Sequence, residues 1–155
     1  MCLRIAIVGL TLLFAVPVAA QDRPSSTPQL GQRHTADKRL LVAENMWLTE
    51  SEAKAFWPIY DGYQEELDRI YSRIAHAISE YVRAYLDNTL TDEQARALTA
   101  EALDIDEAEA ALAKTYAAKL DAVLPGKKVA RYLQIERKIR ANFRYQLADK
   151  IPLVK

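Results

Sequence analysis

Nine apolar side chains, Phe56, Tyr60, Tyr63, Leu67, Ile70, Ile74, Ile78, Tyr81 and Tyr85, follow one another at steps of 4, 3, 4, 3, 4, 4, 3 and 4 residues. At about 100° per residue all nine fall within about 40° of one line, so the segment is committed to a helix with a single apolar edge. Run from residue 50 to residue 86, that helix is about 55 Å long at ~1.5 Å per residue. Such a length suits a hairpin or coiled-coil arm better than a compact bundle. Pro58 removes an amide and crowds the preceding turn, which predicts a bend near Phe56–Pro58. Asp87 and Asn88 end the helix.

A short device opens this helix and recurs once. "LTESE" at 48–52 and "LTDEQ" at 90–94 each place a threonine before a helical stretch and a Glu or Gln three residues later. Thr49 and Thr91 can accept a bond from a free first-turn amide, while Glu52 and Gln94 reach back to the threonine amide. Each is a capping box, with Leu48 and Leu90 placed to staple onto the first turn.

Strand signals are absent from Ala36 onward, alanine is abundant, and the expected fold is all-α. Four helices follow the leader. A short one covers about 36–46, the long one 50–86, a third runs from Asp92 to about Leu124, and a fourth covers about 126–149 after the turn "LPG". They are expected to form long antiparallel hairpins, elongated and curved. The third helix carries Leu98, Ala102, Ile105, Ala108, Leu112, Tyr116, Leu120 and Val123 as its stripe. On the fourth, Val129, Tyr132, Leu133, Ile135, Ile139, Phe143 and Leu147 spread over about 160° of the wheel, wider than one helix partner needs. Glu136 and Arg140 lie inside that arc. They read either as an ordinary ion pair one turn apart or as a polar pin at an interface.

Charge is unevenly spread. Residues 91–124 hold eight acidic and three basic groups, and residues 125–155 hold nine basic and two acidic ones. An acidic segment directly before a basic one predicts two helices lying against each other. The near-zero net charge gives no reason to expect nucleic acid.

The N-terminus reads as an export signal. "MCLRIAIVGLTLLFAVPVAA" has one charge, an apolar run from Ile5 to Val16, and small residues suited to cleavage after Ala20. The run is short for a membrane span, so no stable membrane insertion is expected after cleavage. The expected domains are a signal peptide (1–20), a flexible leader (21–35), a helical domain (36–150) and a C-terminal tail (151–155). The chain from Gln21 onward has no cysteine, so packing alone must stabilise it.

The second pentad fits the LTXXQ signature of the Spy/CpxP family of exported helical proteins, and the first resembles a copy ending in Glu instead of Gln. Two pentads, a signal peptide, an all-α pattern and a cysteine-free exported chain together resemble that family over roughly residues 36–150. "FWPIYDGY" (56–63) and "KVARYLQIERKIRANFRYQL" (128–147) point to a divergent branch. The resemblance implies a periplasmic, homodimeric, ATP-independent holdase chaperone or envelope-stress protein. Its partners would be unfolded or partly folded envelope proteins. Two other roles are compatible with it: an adaptor docking a membrane sensor domain, and a metal-responsive member.

For a holding role, the wide arc of the fourth helix is the expected client face. Lys128, Arg131 and Lys138 would attract acidic clients, and Tyr132, Ile135 and Ile139 would hold apolar segments. Catalysis is not expected. There is no cysteine after Cys2 and no glycine-rich phosphate loop, and the two histidines are His34, in the leader, and His76, away from the apolar stripe. No cofactor and no metal site are expected, since clustered His, Cys or Met is missing. His76 with Glu80 is at most half a site.

Overall fold

The computed structural model describes residues 27–154, with side chains described from Asp37. It contains four helices: α1 (Thr27–Met46), α2 (Glu50–Leu86), α3 (Asp92–Asp121) and α4 (Gly126–Ala148), with no strand among the described residues. The all-α, antiparallel hairpin architecture is therefore as the sequence predicts. The expected signal peptide lies outside the described residues. One boundary differs: α1 begins at Thr27, so residues 27–35 are helical where a flexible leader is expected. Pro28 falls in the first turn, where a missing amide is tolerated.

Both capping boxes form. The Thr49 amide donates to Glu52 Oε2 at 2.7 Å and the Glu52 amide donates to Thr49 Oγ1 at 3.3 Å. At the second, the Thr91 amide donates to Gln94 Oε1 at 3.0 Å and the Gln94 amide to Thr91 Oγ1 at 3.2 Å. Each box satisfies two first-turn donors that would otherwise lack partners. α2 continues through Pro58 for 37 residues. It ends at Leu86, and Asn88, just past the Asp87 cap, takes a left-handed conformation (φ 51°) that asparagine tolerates. The turn from α1 to α2 uses the same region less comfortably, at Trp47 (φ 48°).

The helices run alternately up and down. α3 lies against both α2 and α4, and α1 lies against α4. The acidic and basic segments meet as predicted, with Arg144 donating to Asp106 at 2.6 Å and to Glu109 at 3.0 Å. Gly62 lets α3 come close: a Cβ there would stand 3.0 Å from the Tyr116 hydroxyl, which donates to Glu66 Oε1 at 2.7 Å.

The core occupies one end of the molecule. Phe56, Tyr60, Tyr63, Leu67 and Ile70 of α2 are buried with Val42 and Met46, with Ile105, Leu112, Tyr116 and Leu120, and with Val129 and Tyr132. Phe56, Tyr60 and Tyr63 all approach the Tyr132 ring, with centroids 5.2, 6.1 and 6.0 Å away. Edge-to-face contacts of this kind add to the burial of large rings. Arg73 grips Glu101 with two bonds of 2.8 and 2.9 Å. Beyond that clasp α2 and α3 continue as a two-helix arm to the turn at 87–91.

Candidate functional site

The wide apolar arc of α4 is covered at its start by α1: Val129 and Tyr132 are buried, whereas Leu133, Ile135, Ile139 and Leu147 are half-buried and Phe143 is exposed. Val42 and Met46 are fully buried on this side of the core, and α3 covers another side of α4. The client face expected on α4 is corrected at Tyr132, Lys128 and Arg131, which serve the fold. Tyr132 is 0 % exposed and is a core residue. Lys128 donates to the Trp47 carbonyl at 3.0 Å and also bonds Glu52. Arg131 donates to the Asn45 carbonyl at 3.0 Å, with its guanidinium 3.7 Å from the centre of the Trp47 ring. Both cations thus satisfy carbonyls at the C-terminal end of α1, where helix carbonyls lack partners and positive charge is favoured. Ile135 packs against the core, Ile139 is half-buried, and Lys138 is exposed.

Glu136 is a polar pin at an interface. Its side chain is 0 % exposed, and Lys38 Nζ of α1 lies 2.9 Å from Oε2. That oxygen is paired with the Lys38 ammonium. Gln64 Nε2 of α2 donates to Glu136 Oε1 at 3.1 Å and to the Tyr132 hydroxyl at 3.3 Å, while Lys38 Nζ donates to Gln64 Oε1 at 2.7 Å. Three helices are therefore locked in register at one point. Burial, and then the charge of Glu136, push the Tyr132 phenol far above its ordinary range. The nearby Tyr60 hydroxyl is buried with no partner. Arg140 turns instead to α3, where it lies 3.7 Å from Glu109.

Sequence reasoning did not find Lys38 and Gln64. The one available signal was Glu136, a carboxylate inside an apolar arc.

Exposed apolar side chains lie on several elements, including Trp47 after α1 and Tyr145 on α4, and a further set lies on the arm. Along the arm, Ile74, Ile78, Tyr81 and Tyr85 continue the α2 stripe but are only half-buried. Leu86 is 70 % exposed. Pro152 reaches this arm: Tyr81 donates to its carbonyl at 2.7 Å, and Leu153 and Val154 beyond it are exposed. A groove of about 500 Å³ runs between the arm's two helices, lined in part by His76, Glu80, Leu90, Gln94, Leu98 and Glu101. The second pentad thus caps α3 and also supplies two residues of this groove.

His76 Nε2 is 3.4 Å from Glu80 Oε1 on an exposed face. Among the described residues no group of three or more His, Cys, Asp or Glu is arranged to hold a metal ion. Within the same limits no helix is long and apolar enough to cross a membrane.

Comparison with known proteins returned no match to a family model, a curated protein or a solved structure.

Proposed function

We propose that this protein holds apolar segments of other exported chains on its two-helix arm, without nucleotide, as a periplasmic holdase. The observation that carries the reading is the mismatch between periodicity and cover. The α2 stripe runs unbroken from Phe56 to Tyr85, yet full burial stops at Ile70. A surface of this kind, apolar and rimmed by polar groups, suits transient capture of a partly folded chain. The export-type N-terminus and the likeness of the paired pentads to the Spy/CpxP pattern support the same reading. In this view α4 builds the fold and the arm does the holding. The role requires no cofactor and no bond-making chemistry.

The test is aggregation of a reduced, unrelated client in the presence of the purified protein without nucleotide. Suppression near an equimolar ratio is expected. Ile78→Asp combined with Leu86→Asp should abolish it while leaving the helical signal intact, and Lys138→Ala should leave it unchanged. Failure to suppress at several-fold excess removes the proposal.

A further inference from the structure

The seam between α1 and the rest of the molecule has the properties of an exchangeable contact. α1 reaches its place through Trp47, Leu48 and Thr49 alone. Trp47 sits at φ 48°, a conformation that bulky L residues adopt only when the surroundings force it. Of the α1 side chains from Asp37 to Met46, only Val42 and Met46 are buried. The other anchors are charged or polar: Lys38 to Glu136 and Gln64, Arg39 to Asp61, and Arg131 to the Asn45 carbonyl. Outward, α1 shows Leu40 and Leu41, 58 % and 43 % exposed.

We propose that α1 exchanges between two copies of this chain, so that Lys38 of one copy pairs with Glu136 of the other in a reciprocal dimer. Apart from the contacts of Lys128 and Arg131 with Trp47 in the turn itself, the contacts described for α1 are with residues from Thr49 onward, so the same set forms within one chain or between two. What differs is the turn. Opening it frees Trp47 from its left-handed conformation in both copies, and a short hinge under strain favours exchange over closure as concentration rises. The buried pin sets where α1 lands. A carboxylate with no exposure accepts only a helix that brings a cation to that depth, and a buried ionic contact is best attested as a device that fixes register. The proposal is independent of whether the arm holds clients.

Reversing charges tests it on the full chain. Lys38→Glu and Glu136→Lys each place like charges at the pin. Mixed in equal amounts, they restore both pairs only by exchange. The mixture should sediment at twice the mass of one chain and regain the urea midpoint that each variant alone loses. The double variant, with its pair restored inside one chain, should recover the midpoint unmixed. A mixture behaving as the sum of its two parts, beside a recovered double variant, overturns the proposal.

A second measurement needs no substitution. Nitrogen-14 and nitrogen-15 wild-type chains are mixed, warmed briefly and weighed by native mass spectrometry. Dimers carrying one chain of each isotope should appear, in a share of the dimers that approaches one half. Single chains alone at every concentration overturn it.

Discussion

The four-helix end and the two-helix arm share one continuous helix and one apolar stripe, and they differ in how many neighbours the stripe meets. At Phe56–Ile70 the stripe faces α1, α3 and α4 and is buried. At Ile74–Tyr85 it faces chiefly α3 and the segment at Pro152, and it stays half-covered. Helical periodicity specifies a face. The number of elements that converge on the face decides how much of it is sheltered, and hence which stretch is structural and which is free to act.

The sharpest way to break this contrast is to cut the same kind of side chain from each region. Leu67→Ala should cost about 3–4 kcal/mol, as for a fully buried leucine, whereas Ile78→Ala should cost about 1 kcal/mol because its site is already half open. Urea unfolding of the two variants checks this, and equal losses would mean the arm is as well packed as the core. Next in size is Glu136→Ala, which strands Lys38 and Gln64 at the pin. Removing one member of a buried pair costs about 3 kcal/mol. The loss here should lie nearer 2, because Lys38 keeps some access to water. A companion Lys38→Met, Glu136→Leu double variant should recover most of it.

The caps sharpen the comparison further. Loss of a threonine cap costs about 1 kcal/mol. Thr49→Ala should show that cost in the global urea midpoint, since its box is tied to α4 through Lys128. Thr91→Ala should appear instead as faster amide exchange over the first turns of α3, with a smaller midpoint shift. The smallest effect is that of pH. The Lys128 hydrogen bond, followed by the Thr49 amide, holds the Glu52 carboxyl below its ordinary 4.5. Since the folded value is the lower one, this contribution is present above about pH 4.5 and is lost as pH falls through the folded value. Glu52→Gln should flatten the acid limb of the stability profile. On the alkaline side burial, and then the charge of Glu136, push Tyr63 up from 10.0 to about 12, so its contribution is present below pH 10 and lost as pH rises to about 12.

Much of the architecture was legible because local chemistry dictates it. Thr49 and Thr91 cap where their pentads place them, α2 spans the predicted 50–86, and the acidic and basic helices meet through Asp106, Glu109 and Arg144. The helical start at Thr27 was hidden by a Pro-, Gly- and Gln-containing stretch that reads as loop. The site was less legible. Lys128, Arg131 and Tyr132 look like a client face in the sequence because the arc of α4 is wide, and width alone does not name what covers it. Lys38 and Glu136 lie at opposite ends of the folded chain, and no periodicity links positions so distant. A cation on α1 and a carboxylate on α4 become partners only when the third dimension brings them together.

The chain has two tryptophans, and both stand on the α1 seam under an arginine from across it. Arg131 of α4 lies over Trp47, and Arg39 of α1 lies 4.2 Å from the centre of the Trp57 ring. The unmodified protein therefore carries its own optical reporter. Its ultraviolet emission and its susceptibility to a collisional quencher register the departure of α1, and the rest of the molecule contributes no indole signal of its own.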